Sequence, residues 1–282
     1  MREADRRSLI AYGNGQRGGG HGGLLRCRPM FPVIARLGPF TIYSYGLMMA
    51  LGFIVCGQLY GRELKRRGLD PDMAGVVVFY AVVGGVLGAR AYYMIMYWHE
   101  VAEHPLQALV SGSGLVWYGG LAGGLVASLL AFRRHGSPWV KMFDACAPYL
   151  ALAYVFGRLG CFFAGDGDYG PPSNLPWAMS FPNGAVPTDV PVHPTPLYEA
   201  AVMLGIFAIL SRLRFKARPD GWLFAVFLML QGLERMVLEY WRVDEVPVGP
   251  FSDAQLIGAA TLLAGLVWWW RVRGRAVANQ GG

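Results

Sequence analysis

A chain of 282 residues with 54% apolar content, 39 glycines, nine tryptophans and only 15% charged residues is too greasy for an ordinary water-soluble domain and reads as a polytopic membrane protein. Its net charge of +7 does not indicate nucleic acid, because the cations lie between apolar runs and not on one face beside base-reading aromatics. Cys27, Cys56, Cys146 and Cys161 fall in no zinc or redox spacing, so neither a metal site nor a disulfide is expected.

In chain order, residues 1–29 form a polar, Gly- and Arg-rich segment without the apolar core of a signal peptide. They are expected to be a disordered tail, with Met30 a natural translation start. Crossing the hydrocarbon core takes about 20 apolar residues. Runs of that kind mark seven helices at about 41–60, 73–97, 113–132, 142–160, 195–211, 221–241 and 252–270. The fold class expected is therefore all-α: a membrane domain over 30–275, with a short C-terminal tail at 276–282.

The connections alternate in charge. Basic residues crowd 61–72 (Arg62, Lys65, Arg66, Arg67), 133–141 (Arg133, Arg134, Lys141), 212–220 (Arg212, Arg214, Lys216, Arg218) and the end (Arg271, Arg273, Arg275). The positive-inside rule puts these in the cytoplasm, the N-terminus outside and the C-terminus inside. The loop at about 161–194 then lies outside. It has no Lys or Arg, and its Pro- and Gly-rich "YGPPSNLPWAMSFPNGAVPTDVPVHPTP" has the turn chemistry of an ordered excursion, with Trp177 and Phe181 suited to the membrane interface.

Charges inside the spans cost at least ~2.5–3.5 kcal/mol each on insertion scales and so point to function. Arg90, Asp144, Arg158, Glu199, Glu234, Arg235 and Glu239 are such charges, and Gln231, Arg235, Glu239 and Arg242 fall at one-face helical spacing. Internal pairing, Arg235 with Glu239 or Arg90 with Asp144, would make them inter-helix glue. Surplus arginines at headgroup depth would instead grip phosphate through the guanidinium fork. A phospholipid transporter or flippase is the alternative function, although the internal repeats common in transporters are absent from this sequence.

"GRLGCFFAGDGDYG" at 157–170, "HPTPLYE" at 193–199 and "ERMVLEYWR" at 234–242 resemble the prolipoprotein diacylglyceryl transferases of bacteria. "YSYGLM", "GARAYY", "WYGGLAGG" and "FDACAP" extend the similarity over about Phe31 to Arg271. The resemblance implies a seven-helix, multi-pass enzyme of the bacterial cell (inner) membrane. It would transfer the diacylglyceryl group of phosphatidylglycerol to the lipobox cysteine in the signal peptide of a preprolipoprotein, releasing glycerol phosphate. Its partners would be that peptide, phosphatidylglycerol and membrane lipids, with no nucleic acid, no cofactor, no metal and a monomeric state. Arg158 maps to the arginine that binds phosphatidylglycerol and Arg235 to the arginine of the sixth span. Arg158, Arg235 and Tyr118 are the catalytic candidates. Tyr45, Gly160, Gly165, Gly170, His193, Tyr198, Glu199, Glu239 and Arg242 complete the substrate-binding set with Arg158. Arg158 and Arg235 are expected in one cavity walled by Tyr45, Tyr118 and Glu199. The sequence departs from the pattern at Tyr118, where many members have the histidine proposed as base, and at Cys161 and Asp166, where many have Asn and Glu. A tyrosine with an ordinary pKa of about 10 is a poor base at neutral pH, which leaves His193 and Glu199 as candidates for taking the thiol proton.

Overall fold

The computed structural model describes residues 30–38, 40–99, 117–242 and 252–278. The sequence expectations for residues 1–29 lie outside this range. Among the described residues the protein is mostly helical, with seven α-helices: α1 (Ser44–Arg66), α2 (Met73–Met96), α3 (Trp117–Arg134), α4 (Trp139–Ala164), α5 (Thr195–Leu213), α6 (Trp222–Leu238) and α7 (Asp253–Ala278). Helices α1, α2, α4 and α5 are long and apolar enough to cross a membrane. Of the other three, α6 has 17 residues and α3 closes on Arg133 and Arg134.

Two short antiparallel hairpins were not foreseen. Strands β1 (Val33–Leu37) and β2 (Phe40–Tyr43) pair ahead of α1, with Leu37 opposite Phe40 and Gly38 in the left-handed region at φ 60°. This hairpin leaves Leu37 and Phe40 exposed. Strands β3 (Met179–Phe181) and β4 (Thr188–Val192) pair within the long loop. Helix α4 runs on to Ala164, so that loop begins at Gly165, four residues later than the sequence suggests. The basic clusters also sit partly inside helices: Lys65 and Arg66 occupy the last turn of α1 and Arg133 and Arg134 that of α3, where cations oppose the negative end of the helix dipole.

The chain divides into two compact units. The first comprises the residues through Gly52, Ala151–Ile209 and Phe227–Val267; the second comprises Phe53–Leu150, Leu210–Val226 and the residues from Trp268 on. In the first unit, Phe181 is wholly buried, stacked on Tyr169 at 4.1 Å between ring centroids and edge-on to Phe162. Phe181 is thus a core residue of the loop and not an interfacial one, while Trp177 stays about half exposed. In the second unit, α2 and α3 pack through small residues. A side-chain carbon on Gly88 would lie 2.3 Å from the carbonyl oxygen of Gly119, so the two backbones touch there.

Candidate active site

The site is built in the first unit from four segments. Helix α4 brings Tyr154 and, one turn later, Arg158 to the same face. The loop after it brings Asp168, α5 brings Glu199 near its start, and α6 brings Arg235 near its end. Beyond α6 the chain tightens into a 3-10 turn, Glu239–Trp241, and Arg242 is extended at φ −105°, ψ 148°. Gln231, Arg235, Glu239 and Arg242 therefore do not form a stripe on one continuous helix. The change of geometry after Leu238 is what aims Arg242.

Three guanidiniums converge on Glu199, which is 1% exposed. Arg158 reaches Glu199 Oε2 through Nε. Arg242 Nη1 donates to Oε1 at 3.1 Å, and Arg235 Nη1 lies 3.8 Å from the same oxygen. Tyr154 donates to Oε2 at 2.8 Å and accepts from Arg158 Nη2 at 3.1 Å. A second carboxylate spans two of the arginines: Asp168 accepts from Arg158 Nη1 on one oxygen and from Arg242 Nη2 on the other at 2.9 Å. Arg235 Nη2 is 3.4 Å from Glu239, whose other oxygen accepts from Ser252 at 2.6 Å.

Among the described residues the arginines are paired and not in surplus: Arg158, Arg235 and Arg242 each have a carboxylate of Asp168, Glu199 or Glu239 within reach. Of these carboxylates Asp168 is the accessible one, at 31% side-chain exposure against 1% for Glu199 and 4% for Glu239. Burial raises the proton affinity of Asp168, but Arg242 and Arg158 outweigh it and hold its carboxyl below the ordinary value. Asp166 behaves oppositely, raised first by burial and then by the charge of Asp168. Thr195 donates to the carbonyl of Asp168 and so pins the loop backbone to the start of α5.

The other sequence candidates fall around this cluster. Tyr45 packs on Gly160, where an added side-chain carbon would come within 3.1 Å of its ring, and lies within electrostatic reach of Arg158, Asp166 and Asp168. His193 Nδ1 is 3.2 Å from the hydroxyl of Tyr198, which also accepts from Trp177 Nε1 at 2.8 Å, so His193 is braced against the first turn of α5. Gly170 is pressed against the chain after α6: a side-chain carbon there would meet the carbonyl of Trp241 at 2.3 Å. Gly165, at φ 60°, makes the turn out of α4 and abuts Gly184. Gly160, Gly165 and Gly170 are thus each in close contact with another part of the chain. Tyr118 lies at the start of α3, and its side chain is outside the described residues.

One expectation about the buried charges needs correction. Asp144, placed in the second unit, accepts from Arg67 at 2.9 Å and from the α6 amides of Leu223 and Phe224 at 2.7 and 3.1 Å. Its partners are thus Arg67 and a helix N-terminus, where the sequence suggested Arg90. Sequence reasoning also left Asp168, Tyr154 and Glu234 out of the site. Tyr154 was visible as the i−4 neighbour of Arg158. Glu234 is 4% exposed with neither oxygen hydrogen-bonded, and it lies within electrostatic reach of Glu199, Arg158, Arg235 and Arg242. Cys161, Asp166 and Asp168 bring ligand-type atoms within 4.8 Å of one another. With Asp168 already bound by two guanidiniums, they make a poor cradle for a cation.

The profile of the prolipoprotein diacylglyceryl transferase family matches residues 32–271. The phosphatidylglycerol–prolipoprotein diacylglyceryl transferase of Bordetella avium is 37% identical over 251 residues, 85% of this chain and 94% of the relative. That of Nostoc sp. is 35% identical over 251 residues, 84% and 88% of the two chains. That of Gloeobacter violaceus is 33% identical over 259 residues, 88% and 95%. A match of this extent, carried through the segments that bring Arg158, Glu199 and Arg235 together, places the chain in the prolipoprotein diacylglyceryl transferase family.

Proposed function

We propose that the Arg158–Arg235–Arg242 cluster holds the headgroup phosphate of phosphatidylglycerol while the chain transfers the diacylglyceryl group to a preprolipoprotein. The enzyme is a transferase, and its reaction is the one the family is named for. The lipobox thiol loses its proton, its sulfur attacks the glyceryl carbon of the lipid, and the bond from that carbon to the phosphate oxygen breaks. A thioether forms and glycerol phosphate leaves. The phosphodiester carries one negative charge, and the departing monoester gains a second. Guanidiniums fixed beforehand around the leaving phosphate bind it more tightly as that charge grows, which is the requirement for accelerating the step.

The observation that carries this reading is the convergence of three arginines from three segments on one buried carboxylate. Glu199 spends both oxygens on Tyr154 and the arginines, which makes it the brace of the cluster and leaves it little capacity to take the thiol proton. Asp168 is the exchangeable partner. It sits on a loop with Gly167 at φ 98°, it is the most exposed of the three acids, and it occupies the forks of Arg158 and Arg242 as a phosphate would.

In this reading the chain crosses the bacterial inner membrane seven times as a monomer, N-terminus outside and C-terminus in the cytoplasm. The basic helix ends supply the orientation. Incubating the purified protein with labelled phosphatidylglycerol and a lipobox peptide tests the function: a diacylglyceryl-modified peptide supports it, and lipid movement without modification would favour a flippase.

A further inference from the structure

The second unit holds a cavity of about 280 Å³ walled by six cations, Arg66, Arg67, Lys141, Arg214, Lys216 and Arg218, and by two carboxylates, Asp144 and Asp220. Among the described residues Glu63 adds a negative charge behind them. It is 2% exposed and contacts Arg66, Arg67 and Arg214 together. One carboxylate cannot neutralise three guanidiniums. Asp144 divides itself between Arg67 and the α6 amides, and Lys141 and Asp220 stand 3.6 Å apart in solvent. The wall thus keeps six cations against three carboxylates.

Aromatic rings hold several of these cations without cancelling their charge. The guanidiniums of Arg66 and Arg214 lie 5.0 and 4.7 Å from the centroid of the Phe215 ring, and that of Arg218 lies 4.9 Å from Trp222. Arg214 also has a buried Nε donor without a hydrogen-bond partner. Orienting a membrane protein requires only that cations be present near the helix ends. Gathering them around one cavity, on a buried carboxylate and two rings, costs Coulomb repulsion that a bound anion removes. The volume is at the lower edge of small-molecule sites, roughly 300–1,000 Å³, which suits a headgroup-sized anion. Basic pockets between membrane helices take such headgroups.

We propose that this cavity is an anion site separate from the Arg158 cluster, taking a phosphate group that belongs either to an anionic phospholipid of the adjacent leaflet or to free phosphate. The inference stands apart from the function proposed above. Lys216 and Arg218 are exposed, and the ion pairs described for Glu63 and Asp144 are made by Arg66, Arg67 and Arg214, so Lys216→Gln combined with Arg218→Gln leaves the scaffold in place. The full chain in detergent micelles is titrated with phosphatidylglycerol, read by native mass spectrometry, and separately with inorganic phosphate, read by calorimetry. Each cation near an anionic phosphate is worth roughly a fivefold change in affinity, so the double variant should bind about thirtyfold more weakly. Its transfer activity should be unchanged, which shows at once that it is folded and that the Arg158 cluster is intact. Loss of one bound lipid with no phosphate binding identifies the lipid as the source; binding of inorganic phosphate that disappears in the double variant identifies the free ion. Equal binding of both probes by the two proteins overturns the proposal.

Discussion

Replacing Asp168 by Asn tests whether this side chain keeps the place of the substrate phosphate. Its two oxygens occupy one donor each of Arg158 and Arg242, so a headgroup phosphate entering the same forks must first displace the carboxylate. A hydrogen bond to a charged group contributes about 1.5–3 kcal/mol net. With the Asp168 side chain 31% exposed, solvent screening reduces the pair of contacts to a total of about 2 kcal/mol. The neutral amide keeps the shape and gives up most of that competition. The KM for phosphatidylglycerol in the peptide-modification assay should therefore fall by about thirtyfold, while the thermal stability of the variant drops because two buried guanidiniums lose a partner. Burial works against this acid and the arginines work for it, and the net effect keeps it ionised at neutral pH, so the competing charge is present in the resting enzyme. A variant with a raised KM, or one with unchanged KM and no turnover, would refute the reasoning. Either result would make Asp168 part of the working machinery and not its stand-in.

Arg158→Lys should abolish most transfer although the charge is kept, since Arg158 addresses Asp168, Glu199 and Tyr154 through three different nitrogens and an ammonium cannot span them; turnover of the variant decides. Glu199→Gln should lower the melting temperature markedly, because three arginines converge on that carboxylate, whereas Glu234→Gln should leave it unchanged or raise it, since neither oxygen of Glu234 has a hydrogen-bond partner to lose. Asp166 has a folded-state pKa raised by burial and by Asp168, so its contribution to stability is full below the unfolded value of about 3.9 and is lost as pH rises through the raised one. Asp166→Asn should accordingly stabilise the protein more at about pH 7 than at about pH 3, and melting curves across that range would contradict the assignment if the gain were the same at both ends.

Helices α1, α2, α4 and α5 were legible because each is an apolar run of bilayer length. The runs read at 142–160 and 195–211 lie within α4 and α5 as they form, and the errors are at the ends. At the C-terminal ends of α1 and α3 the errors have one cause. Arginines and lysines look like loop residues by composition but are stabilised in the last helical turn, so Lys65, Arg66, Arg133 and Arg134 extend helices that the hydropathy pattern had closed. The β1–β2 hairpin was missed for a different reason: a strand with Leu37 and Phe40 exposed lacks the in-out alternation that a half-buried strand shows, and it merges into the apolar run of α1. Phe181 was assigned to the interface because an aromatic in a loop before a membrane helix is equally suited to either place. Its stacking partner Tyr169, twelve residues back, is a matter of tertiary folding.

Charge partners show the same limit more sharply. Arg235 and Glu239 are one turn apart and could be paired from the sequence, whereas Asp168 meets Arg242 across 74 residues and Asp144 meets Arg67 across 77. The sequence therefore counted arginines without their acids and arrived at a surplus, where the described residues of the folded site pair every arginine with a carboxylate. That pairing changes what the arginines must do. A surplus would attract any anion and hold it; arginines already paired bind an anion that can take over a carboxylate's place. In the proposed function Glu199 and Glu239 are too deeply buried to leave, so the exchange falls to Asp168. A phosphodiester carries the same single charge as the carboxylate it replaces, which makes entry electrostatically even. Only when the carbon–oxygen bond breaks does the phosphate carry more charge than Asp168 did, and the guanidiniums then gain attraction they did not have with either resting partner. Preference for the departing phosphate over the bound lipid is what lowers the barrier, and it follows from filling the forks with a carboxylate in the resting state.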